Sequence, residues 1–274
     1  MSKPIAEYTP QVAIVTGAAK GIGRAIALRL ASDGFKVVVN DRLAQEDALN
    51  ALAVEIPSLG RDATEATASE EVRTLVVTGD VSVEADVDKL IRETVKVFGG
   101  VDAVIANAGI ALGGVFLEYS MNDLDQVLAV NVRGVMLCFQ RAARQMVKQK
   151  RGGRLIAASS MYGQRGVAYN QAYCASKFAV RGLCQSIARE LMPYKITCNS
   201  YAPGCILTDM TDRPEDKMLD GQHGSFIKAL IAGTHEGPDA GPDVVASMVS
   251  YLCKPEAYFV TGECMSMSGG LIIG

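Results

Sequence analysis

A tyrosine and a lysine four residues apart are the first side chains in this sequence that could do chemistry together. Tyr173 and Lys177 lie in the segment QAYCASKFAVRG, residues 171–182. On a helix this spacing makes them neighbours, so they form either a proton-transfer pair or a simple packing contact of ring on aliphatic stem. A tyrosine, with a pKa of about 10, becomes a base at neutral pH only if nearby cations stabilise its phenolate. If the pair is catalytic, we expect Lys177 to lower the pKa of Tyr173.

Short runs of β-branched residues alternate with helical patterns along most of the chain. QVAIVTG is followed by GRAIALRLASDG, KVVVND by AQEDALNALAVEI, and TLVVTGD by EADVDKLIRETVKVFG. Such alternation predicts βαβ units. We therefore predict an α/β fold, a doubly wound parallel sheet of about seven strands with helices on both faces, in a single domain over residues 1–274.

Three longer segments complete this prediction. Residues 121–150 have the pattern of one long helix. The polar stretch at 57–73 interrupts the alternation and is predicted to be a surface loop. Residues 209–242 mix Gly, Pro and charged residues with a short apolar patch, which suits a mobile lid better than a second core.

Composition excludes several classes of partner. The net charge is −3, and the Lys and Arg residues are scattered, so no basic surface for nucleic acid or an anionic membrane is expected. The polar start and the absence of any apolar run of about 18 residues predict a cytoplasmic protein without a membrane helix. Seven cysteines without CxxC spacing and only two histidines predict neither a metal site nor a disulfide framework.

A glycine-rich turn lies where the first predicted strand gives way to the first helix. In TGAAKGIG, residues 16–23, Gly17, Gly21 and Gly23 would let the backbone turn sharply and approach a pyrophosphate. Backbone N–H groups and the positive end of the helix dipole would meet the negative charge. The spacing is GxxxGxG instead of GxGxxG, and the alternative is that these glycines serve only turning and packing.

Asp41, at the end of the second predicted strand, bears on which nucleotide would bind. A carboxylate there can accept hydrogen bonds from the adenosine ribose hydroxyls and would repel a 2′-phosphate, which favours NAD. Arg42 and Lys20 argue for NADP, because either cation could pair with that phosphate. Asp41 could also be only a helix N-cap. The sequence therefore favours NAD and leaves NADP possible.

With these motifs in order, the sequence resembles the short-chain dehydrogenase/reductase family from about residue 10 onward. The motifs are TGAAKGIG at 16–23, GDV at 79–81, ANAG at 106–109, NVRG at 131–134, Ser160, YCASK at 173–177 and PGCILT at 203–208. Two departures are Ala106, where the family usually has Asn, and SGG at 268–270 in place of DGG. The resemblance implies a Rossmann-like NAD(P)-binding domain and a homotetramer formed through two long helices.

The resemblance also implies a set of cofactor contacts. Asp80 and Val81 would contact the adenine ring, Asn107 and its neighbours would flank the adenosine ribose, and Ile206 and Thr208 would hold the nicotinamide carboxamide. Without the family, Asp80 would be interpreted as a strand-end cap and Thr208 as a turn residue. The full predicted set is Gly17, Lys20, Gly21, Ile22, Gly23, Asp41, Arg42, Asp80, Val81, Asn107, Ala108, Gly109, Tyr173, Lys177, Pro203, Gly204, Ile206 and Thr208.

Four residues form the predicted catalytic group: Ser160, Tyr173, Lys177 and Asn131. Ser160 lies thirteen residues before Tyr173, the family's usual interval, and would hydrogen-bond the substrate oxygen. Tyr173 would move the proton, with Lys177 also holding the nicotinamide ribose. Asn131 on sequence alone is a surface or capping residue, but the resemblance implies that it anchors a water relay from Lys177.

The resemblance therefore predicts an NAD(P)-dependent oxidoreductase that interconverts a secondary alcohol and a ketone, with Tyr173 as general acid/base. Within the family the chain looks similar to acetoin/diacetyl reductases and to polyol or secondary-alcohol dehydrogenases. The alternatives are an NADPH-dependent 3-oxoacyl (β-ketoacyl) reductase and a non-catalytic nucleotide-sensing regulator. The residues expected to face a small-molecule substrate are Met161, Tyr162, Cys205 and the apolar residues of 209–235, among them Met210, Met218 and Phe226.

Overall fold

One parallel β-sheet organises the chain. A computed structural model describes residues 10–56 and 72–271. Its strands are β1 Val12–Thr16, β2 Lys36–Asn40, β3 Thr74–Val76, β4 Ala103–Ala106, β5 Gly153–Ala158, β6 Ile196–Pro203 and β7 Cys264–Met267. The strand order is β3-β2-β1-β4-β5-β6-β7, and each neighbouring pair is parallel. The predicted doubly wound sheet of about seven strands is confirmed.

Helices cover both faces of this sheet. They are α1 Gly21–Ser32, α2 Glu46–Glu55, α3 Glu84–Phe98, α4 Met121–Leu128, α5 Gly134–Gln149, α6 Gln171–Leu191, α7 Ser225–Ala232 and α8 Pro242–Cys253. Short 3₁₀ turns join several of them. The predicted loop at 57–73 lies, apart from its last two residues, outside the described residues.

The alternation of side chains along each strand divides the apolar residues between two cores. In β1, Ala13 and Val15 pack with α1, α2 and α8, whereas Val12 and Ile14 pack with α3, α5 and α6. Successive side chains of a strand point to opposite faces, so a strand buried on both faces must be apolar throughout. This is why VAIVT contains almost no polar residue.

The strand order reverses between β1 and β4. From β1 the chain builds β2 and β3 on one side, then returns to build β4 to β7 on the other. At such a reversal the loops leave the carboxyl ends of the two strands in opposite directions and open a crevice, which is where doubly wound sheets bind ligands. The fold therefore places the glycine turn after β1 beside the ANAG segment after β4.

The long helix predicted over residues 121–150 is present, since the backbone stays helical from Met121 to Gln149, but it contains one irregular turn. A π-helical turn at Ala129–Arg133 separates α4 from α5. Such turns widen the backbone spiral and are common where a helix side chain serves a site. Asn131, one of the predicted catalytic residues, lies within this turn.

Candidate active site

A cleft of 520 Å³ opens at the carboxyl ends of the strands. The cleft is bounded by the glycine turn, the loops after β2 and β4, the start of α6 and the loop after β6. All eighteen predicted cofactor residues line it, together with Ser160. Asn131 does not line the cleft and lies directly behind it. The structure thus brings the predicted residues together from distant parts of the chain.

The glycine turn needs its glycines for two different reasons. Gly17 and Gly21 have φ angles of +64° and +56°, in the left-handed region that favours glycine. At Gly23 the reason is space, because a Cβ would lie 2.0 Å from the carbonyl oxygen of Gly17. No side chain of the described residues caps the start of α1, so its first N–H groups are available to an anion.

Asp41 lies at the rim of the cleft and does not cap a helix. Its Oδ2 accepts a hydrogen bond from the backbone N–H of Ala19 at 3.2 Å, and its Oδ1 accepts one from Arg42 N–H at 2.9 Å. The short 3₁₀ turn that follows has Arg42 as its N-cap. The interpretation of Asp41 as only a helix cap is therefore wrong, and its carboxylate also ties β2 to the glycine turn.

The two cations that favoured NADP have different surroundings. Lys20 forms an ion pair with Asp209, at 2.8 Å between Nζ and Oδ2, with both side chains largely exposed. Arg42 is exposed at the cleft rim. The charge of Lys20 is thus already matched by a carboxylate from the loop after β6.

Tyr173, Lys177 and Ser160 meet on one side of the cleft. Tyr173 and Lys177 lie on consecutive turns of α6, and Ser160 is the second residue after β5. The Lys177 ammonium lies 5.3 Å from the centre of the Tyr173 ring and donates a hydrogen bond to Ala158 O at 2.7 Å. Ser160 hydrogen-bonds the Tyr173 hydroxyl. Tyr169, the tyrosine four residues before Tyr173, is exposed, and the cleft lining does not include it.

The pKa values in this group correct the expectation that Lys177 lowers the pKa of Tyr173. Burial raises the pKa of Tyr173 to about 12, and the hydrogen bond from Ser160 offsets this only in part. Burial also lowers the pKa of Lys177 to about 8. Both side chains are removed from water, which disfavours the charged form of each. Desolvation therefore affects the pKa of Tyr173 more than the charge of Lys177 one helical turn away does.

Asn131 is fully buried, so its interpretation as a surface residue is wrong. Its Oδ1 accepts a hydrogen bond from Ile110 N–H at 2.9 Å, and its Nδ2 donates to Ile110 O at 2.9 Å and to Ser176 Oγ at 3.0 Å. Ser176 Oγ in turn donates to Tyr173 O at 2.7 Å. The amide thereby links the loop after β4 to the first turns of α6. The water relay remains a prediction.

Asn107 is held inside the wall of the cleft. Its Nδ2 donates to Thr16 O at 3.0 Å and Gly17 O at 3.1 Å, and its Oδ1 accepts from Tyr201 Oη at 2.9 Å. These bonds occupy the side chain, so it fixes the glycine turn against β4 and β6. The sequence reasoning missed Thr16 and Tyr201, and only the polar character of Thr16 at the end of an apolar strand could have indicated a role.

Asp80 combines two roles. Its Oδ1 accepts hydrogen bonds from Ser82 N–H at 2.8 Å and Ser82 Oγ at 2.7 Å, so it stabilises the turn after β3, as its interpretation as a cap predicts. Asp80 also lines the cleft, as does Val81, which packs against Gly134.

The segment 209–242 covers the other end of the cleft. Of the predicted substrate-facing residues, Met161, Tyr162 and Met210 line the cleft, whereas Cys205, Met218 and Phe226 do not. Ile227 and Ile231, which belong to the predicted apolar residues of 209–235, also line the cleft, because residues four apart share one face of α7. The lining side chains of Ala111, Asn170 and Arg213 were not predicted. The walls at this end are mainly apolar.

Three further features are the cysteines, the potential metal ligands and the length of the apolar helices. All seven cysteines are free thiols and six are buried. Burial raises the pKa of Cys174 and Cys205, the two nearest the site, so neither is a ready thiolate. In the part of the chain that the structure describes, no cluster of His, Cys, Asp and Glu could hold a metal ion. Of the helices within residues 10–56 and 72–271, none is long and apolar enough to cross a membrane.

Several proteins resemble this chain over nearly its whole length. A short-chain dehydrogenase/reductase of Hericium erinaceus is 45% identical, over 94% of this chain and 96% of that protein. The L-2,3-butanediol dehydrogenase of Corynebacterium glutamicum is 36% identical, over 96% and 98%. The 3-oxoacyl-[acyl-carrier-protein] reductase FabG of Staphylococcus aureus is 34% identical, over 94% and 97%.

A solved structure and a family model agree with these relatives. The crystal structure of acetoin dehydrogenase YohF from Salmonella typhimurium superposes with a TM-score of 0.79 at 30% identity, over 96% of each chain. The model of the short chain dehydrogenase family matches residues 11–218. The chain belongs to the short-chain dehydrogenase family of oxidoreductases.

Proposed function

We propose that this protein is an NAD(P)-dependent oxidoreductase that interconverts a secondary alcohol and a ketone, with Tyr173 as general acid/base. The observation that carries the proposal is the meeting of Ser160, Tyr173 and Lys177 beside a glycine turn with an uncapped helix N-terminus. The names of the butanediol and acetoin dehydrogenases support an alcohol substrate.

The residues of the cleft fit a dinucleotide. The turn at Gly17 and Gly21 and the start of α1 would hold the pyrophosphate, since a backbone without side chains can approach it closely. Asp41 would bind the adenosine ribose, and Asp80 with Val81 would contact the adenine. The remaining wall comprises Asn107, Ala108, Gly109, Pro203, Gly204, Ile206 and Thr208. A bound oxidised nicotinamide would accept the hydride and would add a positive charge beside Tyr173.

The chain's own residues would move the proton. Tyr173 Oη takes the proton of the substrate hydroxyl in oxidation and returns it in reduction. Ser160 fixes the substrate oxygen near this phenol and stabilises the charge that develops there. Lys177, with a pKa of about 8, is mostly protonated at neutral pH, and its charge would partly offset the cost of burying the phenolate. Asn131 holds the first turns of α6 in place and would support the proton relay from Lys177.

We propose NAD as the preferred nucleotide, with NADP still possible. The Asp41 carboxylate at the cleft rim would repel a 2′-phosphate. The charge of Lys20 is balanced by Asp209, and Arg42 is exposed at the rim directly beside the Asp41 carboxylate. The charge balance around the ribose position therefore favours a nucleotide without that phosphate.

We also propose that residues 209–242 act as a lid over a mainly apolar substrate and that the protein is a homotetramer. Ile227 and Ile231 on α7 support the lid. Met136 on α5 and Phe178 on α6 are large apolar side chains exposed at 40% and 44%, which supports an interface through these long helices. A cytoplasmic location stays a prediction.

The direct test mixes the protein with NAD or NADP and a panel of secondary alcohols, diols and 3-oxoacyl thioesters. The proposal expects NADH absorbance to appear with secondary alcohols or diols. Turnover of the thioesters alone, with NADPH, would favour the 3-oxoacyl reductase instead. Nucleotide binding without turnover of any compound would favour a nucleotide-sensing regulator.

A further inference from the structure

His223 joins the lid to the loop that follows β6. Its Nε2 lies 3.1 Å from Thr208 O and 3.0 Å from Thr211 Oγ1. Thr208 is the residue proposed to hold the nicotinamide carboxamide, and His223 directly precedes the turn into α7. The histidine itself is absent from the lining of the cleft.

The hydrogen-bond directions show how this contact works. A carbonyl oxygen only accepts, so Nε2 of His223 carries the hydrogen that it donates to Thr208 O. Thr211 Oγ1 accepts from Thr208 N–H at 3.0 Å and donates to Ile206 O at 2.8 Å. The turn from 206 to 211 is therefore a closed network, and His223 adds a side-chain donor from twelve residues further along the lid.

The lid holds His223 on a rigid support. The buried carboxylate of Asp216 accepts three backbone hydrogen bonds, from Arg213 N–H at 3.1 Å, Gly224 N–H at 3.1 Å and Phe226 N–H at 2.7 Å. These bonds fix the backbone on both sides of His223. The position of the ring is thereby set by the fold of the lid and not by the cleft.

The same loop is held from its opposite side by the glycine turn. Asp209, next to Thr208, pairs with Lys20 across the cleft. Both side chains of this ion pair are exposed, so the pair contributes little to stability. The His223 contact is half-buried and is made with Thr208 itself.

We propose that His223 is a positioning residue that fixes the nicotinamide-binding loop and so couples the order of the lid to cofactor geometry. This inference rests on the proposed function, because it assigns Thr208 to the nicotinamide. His223 touches neither the glycine turn nor Asp41, which would hold the ADP-ribose half. Loss of its donor should therefore weaken binding of the whole dinucleotide and leave binding of ADP-ribose unchanged.

The test compares two substitutions that separate shape from hydrogen bonding. His223→Phe keeps a ring and removes the donor, whereas His223→Gln keeps an N–H donor at a similar reach. His235→Phe, at the other histidine of the chain, is the matched control. Calorimetry measures the affinity of each purified protein for NADH and for ADP-ribose, and steady-state kinetics measures KM for NAD and kcat.

We expect His223→Phe to weaken NADH binding about tenfold and to raise KM for NAD by a similar factor, as the loss of one half-buried hydrogen bond implies. ADP-ribose affinity should stay within about twofold of wild type, and His223→Gln should recover most of the NADH affinity. His235→Phe should match wild type in both.

Equal loss of NADH and ADP-ribose affinity in His223→Phe would overturn the inference, because it would mean a general loss of structure. Unchanged NADH affinity in that variant would overturn it as well. Wild-type protein that binds neither NADH nor NADPH would refute the proposed function, and the inference with it. Wild-type protein that binds NADH with the same affinity as His223→Phe would refute the inference alone.

Discussion

Replacement of Gly23 by alanine tests the glycine turn at its tightest point. A Cβ there would lie 2.0 Å from the Gly17 carbonyl oxygen and 2.5 Å from Nδ2 of Asn107. The first atom is backbone, and the second belongs to an amide held by Thr16, Gly17 and Tyr201. Rotation of a side chain cannot relieve the contact, so α1 must move away from the turn.

This movement has two measurable consequences. Overpacking of this kind should lower the free energy of unfolding by about 1–3 kcal/mol. Because the N–H groups at the start of α1 move with the helix, NADH affinity should fall by at least about tenfold, equivalent to one charge-assisted hydrogen bond. Urea denaturation followed by circular dichroism measures the first quantity, and calorimetric titration with NADH measures the second.

Gly166→Ala is the matched control, because Gly166 is exposed and a Cβ there meets nothing within 4 Å. We expect it to change stability by less than about 0.5 kcal/mol and to leave NADH affinity unchanged. If Gly23→Ala behaved like this control in both measurements, the close approach of α1 to the turn would not be needed for binding and the reasoning would be refuted.

Two further substitutions probe charge. Lys177→Met should abolish turnover yet stabilise the fold at pH 7, because a lysine whose pKa falls from 10.5 to about 8 on folding costs up to about 3 kcal/mol there. By pH 9 the lysine is largely neutral in the folded protein but still charged in the unfolded chain, so the gain in unfolding free energy should shrink to about 2 kcal/mol. Denaturation at both pH values measures this gain, and a gain that grows with pH would contradict the lowered pKa of Lys177. Asp41→Ala should shift the ratio of kcat/KM for NAD over NADP towards NADP by at least about tenfold, as expected when a carboxylate no longer faces the phosphate; an unchanged ratio would mean that the ribose is recognised elsewhere.

The fold was predictable because its strands are buried on both faces. Val12 to Val15 must serve two cores at once, and a continuous apolar run bounded by glycine is the signature of such a strand. The motifs then located the cleft, because consecutive motifs follow successive strands whose carboxyl ends share one edge of the sheet. This is why residues as distant as Gly17 and Thr208 could be assigned to one site.

What could not be predicted depends on contacts between distant side chains. The π-helical turn around Asn131 follows from the bonds of Asn131 to Ile110 and Ser176, and no local pattern encodes them. The pKa of Lys177 depends on burial, which the i, i+4 spacing does not reveal. Within the lid, Arg213 lies in a segment of glycines, prolines and charged residues whose composition indicates irregular structure, so its place at the cleft was not foreseeable.

The most direct test of the central claim is the turnover of Tyr173→Phe. This substitution keeps the buried ring and removes only the hydroxyl that Ser160 contacts, so the proton carrier is lost while the cleft is preserved. We expect kcat to fall by about 10²- to 10⁴-fold with NADH affinity nearly unchanged. Tyr169→Phe, at an exposed tyrosine outside the cleft, should keep wild-type kcat. A Tyr173→Phe enzyme that retains more than about a tenth of the wild-type rate would contradict the assignment of Tyr173 as the general acid/base.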